Sequence, residues 1–284
     1  MRRAAGFTLV ELIAVITLTG IIAAVIWRNV AQPLEGFEDT TRRARLVDIA
    51  ETTLNRMTRE IRLALPNSIR IATSGTSTGL EFLRTLTGGR YRREADASDD
   101  VCAGGGASDD ILDFTLASDC FEILGGVPVV PDATHCPGGC LLAIYNTGSV
   151  GANAYDGDNT ATIDTATATA TSLTFTRGTA FPFASPFQRF HVIDTPVSFV
   201  CDTAGDEIRR YDGYAIAPAQ SVPPAGSGDL LADHVEACSF SYSAGTASRA
   251  GLVTLKITVT DQSVSSGANE SVTLVDQVHI PNVP

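Results

Sequence analysis

A single carboxylate, Glu11, interrupts the otherwise uncharged run FTLVELIAVITLTGIIAAVIW at 7–27. A charge at the centre of a membrane helix costs about 2.5–3.5 kcal/mol, and somewhat less near its end, so its retention here marks function. The six cysteines, Cys102, Cys120, Cys136, Cys140, Cys201 and Cys238, all lie beyond residue 100. An even count in an exported chain predicts disulfides. Cys136 and Cys140 bracket Pro-Gly-Gly beside His135. That spacing suits a local disulfide or part of a zinc site, but zinc needs four ligands and no second close Cys or His pair follows. Cys201 with Cys238 and Cys102 with Cys120 are the other pairings chosen, from the 15 that six cysteines allow.

Asp156, Asp158 and Asp164, with Asn159, offer several oxygens within one stretch, as a calcium site would. The EF-hand spacing fails, and a solvated Asp/Asn turn is the competing explanation. No other cofactor is expected. Enzymatic signatures are missing: there is no G-x-S-x-G, no H-E-x-x-H and no phosphate-binding glycine loop, and the four histidines are scattered. The expectation is a protein without catalytic activity. Arg84, Arg90, Arg92 and Arg93 cluster around one expected hairpin, either as a solvated face or as a hold for DNA or an acidic partner.

The elements that position these residues begin with the apolar run. Its 21 residues suffice for a helix to cross a hydrocarbon core of roughly 30 Å. Arg2 and Arg3 on its short side keep that end cytoplasmic and send the remainder across. Pro33 and Gly36 predict a bend or local melting beyond Trp27. Helical spacing then resumes in Val47, Ala50, Leu54, Met57, Ile61 and Ala64, with arginines on other faces, until Pro66 stops the helix after Leu65. The net charge of −12 argues against nucleic acid as a bulk partner.

Gly6, Phe7, Thr8, Leu9, Val10 and Glu11 resemble the cleavage motif of type IV prepilins. The resemblance implies that a membrane prepilin peptidase cuts after Gly6 and that the new amine on Phe7 is methylated. Glu11, one helical turn on, then neutralises the Phe7 ammonium of a neighbouring subunit during docking. It further implies other pilins and an inner-membrane assembly platform as partners. The expected product is a single-pass inner-membrane protein with a periplasmic head, assembled into a pilus or pseudopilus. Three segments, 190–202, 251–261 and 277–284, are similar to the MshO family of biogenesis proteins of the mannose-sensitive haemagglutinin (MSHA) pilus. That similarity implies a minor pilin that primes or caps assembly; a minor pseudopilin of type II secretion and a tip adhesin are the rival readings.

Past Pro66 the helical period gives way to alternation. Strand, Gly88-Gly89 turn and strand are expected over 79–92, and a second hairpin around Asp212-Gly213. Val253, Leu255, Ile257 and Val259 alternate with Thr254, Lys256, Thr258 and Thr260 as a half-buried strand, and 272–280 reads likewise. The Thr-rich run 160–176 is expected to be an edge strand. The fold class is therefore α+β, a long N-terminal helix with an antiparallel β-sheet, and the prepilin resemblance implies a type IV pilin fold in which the helix packs on that sheet. Its divisions are a cleaved leader at 1–6, a long helix at 7–65 that is transmembrane over 7–27, and a disulfide-bonded β-rich head at 66–284.

Overall fold

The computed structural model describes residues 8–94, 101–102, 110–245, 249–262 and 269–280. Helix α1 (Leu9–Ile61) is followed by twelve strands among the described residues, an α+β fold with a long N-terminal helix. The chain forms two units: residues 1–48 with 260–272, and residues 49–259 with 273–284.

In the first unit the helix runs on through Pro33 and Gly36, so the expected local melting does not occur. Proline removes one hydrogen bond. Good helix formers on both sides, Ala31, Gln32, Leu34 and Glu35, keep the spiral intact.

In the second unit Ala50, Leu54, Met57 and Ile61 are buried, as their spacing requires. The helix stops at Ile61, short of Leu65, because a strand claims the next backbone groups. The Leu65 amide donates to the Leu83 carbonyl at 2.8 Å, and the Thr85 amide to the Leu63 carbonyl at 2.8 Å.

The head is organised around two long strands, β2 (Ser77–Tyr91) and β7 (Arg189–Asp202), which pair antiparallel from Ser77↔Asp202 to Arg90↔Arg189. Along one half their outer edges are taken by β1 (Arg70–Ser74) beside β2 and by β8 (Glu207–Asp212) and then β9 (Asp229–Ala232) beside β7. Along the other half the neighbours change. There β2 meets β3 (Ser118–Leu124) and β7 meets β4 (Leu141–Ile144), while β6 (Ser172–Thr176) and β5 (Thr160–Ile163) bridge β3 to β4.

The order β2-β3-β6-β5-β4-β7, with β7 back on β2, is a closed ring of six strands. Closure removes the unpaired edges that strands this short would otherwise expose. Its inside is aromatic: Phe121, Phe175 and Phe190 are fully buried, and the Phe121 and Phe190 rings meet edge-on at 5.4 Å. A separate sheet holds β10 (Val235–Ser243), β11 (Gly251–Gln262) and β12 (Asn269–Ile280) in that order. Val253, Leu255, Ile257 and Val259 are all buried, so the period-two reading of β11 holds.

Three expectations are corrected. Gly88 and Gly89 do not turn the chain but lie inside β2. They serve close approach: a Cβ on Gly88 would stand 2.8 Å from the Phe190 carbonyl oxygen, and one on Gly89 3.1 Å from the Phe190 ring. Asp212-Gly213 does turn, with Gly213 at φ +70°, but 214–216 leave the sheet. The reason is Tyr214, whose hydroxyl reaches back to Ser198 Oγ at 2.6 Å. The run 160–176 forms two strands within the ring and not one at its edge, because Ile163, Leu173 and Phe175 supply buried apolar groups on the inward face.

Candidate functional site

Gly6 and Phe7, together with Arg2 and Arg3, lie outside the described residues. The described segment begins at Thr8, which caps the helix. Its carbonyl accepts from the Leu12 amide at 3.1 Å and its Oγ1 from the Glu11 amide at 3.3 Å. Thr8-x-x-Glu11 is the capping-box spacing, a signal that the motif reading passed over.

From Leu9 to Trp27 no residue is buried. The two hydroxyls within this apolar span turn inward to the helix. Thr17 Oγ1 donates to the Ile13 carbonyl at 3.0 Å and Thr19 Oγ1 to the Val15 carbonyl at 2.7 Å. In hydrocarbon such bonds remove the cost of an unmet donor. Glu11 differs, since its carboxylate has no partner among the described residues. Among the described residues the span presents a greasy surface with one acid that has no charged partner there.

The head holds its cysteines as three disulfides: Cys102–Cys120, Cys136–Cys140 and Cys201–Cys238. Bonded to each other, Cys136 and Cys140 offer no thiolate, and His135 Nδ1 lies 2.9 Å from Asp132 Oδ1. Cys201–Cys238 ties β7 to β10, joining the two sheets across a loop of 37 residues. Replacing both by serine is expected to cost roughly 2–4 kcal/mol from the lost restraint on the unfolded chain. A thermal melt of the purified full chain in detergent, compared with the same chain lacking the four-residue Cys136–Cys140 loop closure, measures the difference.

Asp156, Asp158 and Asp164 do not converge. Asp158 Oδ2 accepts from the Gly151 amide at 2.9 Å, Asp156 Oδ2 from Asn153 Nδ2 at 2.6 Å, and Asp164 Oδ1 from the Ala166 amide at 3.1 Å. Each carboxylate orders its own turn. Among the described residues no three acidic, Cys or His side chains group as a metal site would require.

The head also contains a buried polar cluster that sequence reasoning missed. Glu81 is 1% exposed, and the ladders align Arg70, Glu81 and Ser198 across β1, β2 and β7. Arg70 donates to Glu81 Oε1 from Nη2 at 2.6 Å and Nε at 3.1 Å, and to the Ala217 and Pro218 carbonyls at 2.9 and 2.7 Å. Its guanidinium lies 3.6 Å above the Tyr155 ring. Burial, before any charge, pushes the Tyr155 and Tyr214 phenols up, so both act as neutral hydroxyls. The available signal was a carboxylate inside the apolar run Leu80-Glu81-Phe82-Leu83.

Residues 1–27 match the family described as the prokaryotic N-terminal methylation motif. No curated protein and no solved structure matches the chain. The match covers the capped, apolar segment carrying Glu11 and supports a type IV pilin-like prepilin, either pilin or pseudopilin in kind. Such a motif implies processing by a prepilin peptidase and assembly with other pilins in a membrane, and suggests a structural role. The exposed apolar helix fits an inner-membrane anchor.

Proposed function

We propose that the chain is a minor type IV pilin of the MSHA kind, which joins or primes a pilus after its leader is removed. Residues 1–6 are the leader, Phe7 becomes the methylated N-terminus, and Glu11 docks the subunit against its neighbour. The observation that carries this reading is Glu11, a carboxylate without a partner among the described residues, four residues beyond Phe7 on the exposed apolar span Leu9–Trp27. Before assembly the bilayer covers that helix, and the head stays on the periplasmic side. On entry into the filament, lipid contacts are exchanged for contacts with other pilin helices, and the carboxylate gains its cation.

Mass spectrometry of the mature protein tests the first step. The expected N-terminus is phenylalanine from position 7 bearing one methyl group. A mature chain that starts elsewhere overturns the proposal. Deleting the gene separates the rival assemblies: a minor pilin predicts loss of pili, a pseudopilin predicts normal pili with stalled protein secretion, and an adhesin predicts normal pilus number with lost attachment.

A further inference from the structure

The β2–β7 ladder places Arg90 directly opposite Arg189, and the β2–β3 ladder sets Leu124 on the other side of Arg90. Opposed cross-strand side chains have Cβ atoms about 4.5–5.5 Å apart, where like charges destabilise the pair. The nearby arginines are neutralised: Arg84 Nη2 reaches Asp194 at 2.5 Å and Arg92 pairs with Glu122. Among the described residues neither Arg90 nor Arg189 takes a carboxylate, and Arg189 Nε is buried with no hydrogen-bond partner. Residues 88, 90, 189 and 191 share the face opposite Phe190, whose ring fills the inside of the strand ring, so both guanidiniums stand on the outside.

A cleft of about 420 Å³ opens at this pair. Gly88 forms part of its floor, and none of its described lining residues is acidic. Among the described residues, two guanidiniums without a carboxylate, an unmet buried donor and a concave wall free of carboxylates are together unfavourable when empty. A bound anion reverses each of these costs, since guanidinium forks fit oxyanions through paired, charge-assisted hydrogen bonds.

We propose that this cleft binds a single oxyanion, a carboxylate, sulfate or phosphate group, between Arg90 and Arg189. A polyanion is disfavoured, because Asp194 and Glu122 end the positive patch on either side and the chain carries −12 overall. The site lies wholly in the head and does not depend on the assembly reading.

Isothermal titration of the full chain in a neutral detergent tests it, with sodium acetate, sulfate and phosphate in separate arms at constant chloride. Saturable one-to-one binding of at least one anion is expected. Arg90→Gln and Arg189→Gln should each weaken it about ten-fold or more, equivalent to about 1.4 kcal/mol, while Arg59→Gln on the helix leaves it unchanged. Arg90 is exposed, so its variant is expected to fold and carries the test alone should Arg189→Gln fail to fold. A preference for acetate assigns a carboxylate-bearing ligand, and a preference for sulfate or phosphate assigns an ester of that acid. Absence of saturable binding in all three arms, or undiminished affinity in Arg90→Gln, overturns the proposal.

Discussion

Glu81→Leu lowers the unfolding free energy of the head by about 3 kcal/mol, the lower end of the cost of removing one partner of a buried pair, because the Arg70 left behind is itself half-buried. The carboxylate is nearly inaccessible and holds Arg70 through two nitrogens, with Ser198 Oγ at 3.4 Å on its other oxygen. Leucine removes those acceptors while the Arg70 guanidinium remains fixed between Tyr155 and the 217–218 carbonyls. Urea unfolding of the full chain in detergent, followed by near-ultraviolet circular dichroism, measures the loss. The double variant Arg70→Met/Glu81→Leu should recover part of it, since paired removal of buried charges is often close to neutral. Recovery stays incomplete because Arg70 also pins the carbonyls of Ala217 and Pro218. Removing Glu207, whose partner Arg209 is more exposed, should cost under about 1 kcal/mol. Equal losses at Glu81 and Glu207 would contradict the claim that burial sets the energy.

The difference between what sequence discloses and what it conceals follows from the range of the interactions. Ala50, Leu54, Met57 and Ile61 repeat at helical spacing because one neighbouring surface covers them, so local periodicity reports their burial directly. Val253 to Val259 do the same with period two. The six-stranded ring leaves no such trace. Its strands β4 and β5 have four residues each, too few for a period to show, and its existence depends on β2 and β7 changing neighbours midway. Gly88-Gly89 resembles a turn because local rules cannot foresee that Phe190 will press against it.

The candidate site divides similarly. Glu11 is conspicuous because its charge conflicts with its immediate neighbours, whereas the partners of Glu81 sit 11 and 117 residues away. Arg189 was invisible beside Arg90 for the same reason, since only the β2–β7 register makes them opposites.

Glu11→Val should leave the subunit in the membrane, correctly trimmed and largely absent from filaments. Valine relieves the cost of about 2.5–3.5 kcal/mol or less that a carboxylate imposes on a membrane helix, so insertion is favoured and not impaired. The helix start also survives, because Thr8 Oγ1 accepts from the backbone amide of residue 11, which valine retains. On the proposed docking role, what is lost is the counter-ion for an ammonium that processing would create at Phe7. Inside a helix bundle an unpaired cation costs several kcal/mol, and a loss of about 3–4 kcal/mol lowers the docking equilibrium by roughly two to three orders of magnitude. Immunoblots of sheared filaments against membrane fractions measure the partition, while mass spectrometry of the membrane pool verifies that trimming and methylation are unchanged. Glu11→Asp, which keeps the charge on a shorter stem, should restore part of the incorporation. Wild-type incorporation of Glu11→Val with a normal mature N-terminus would show that the acid has no docking role.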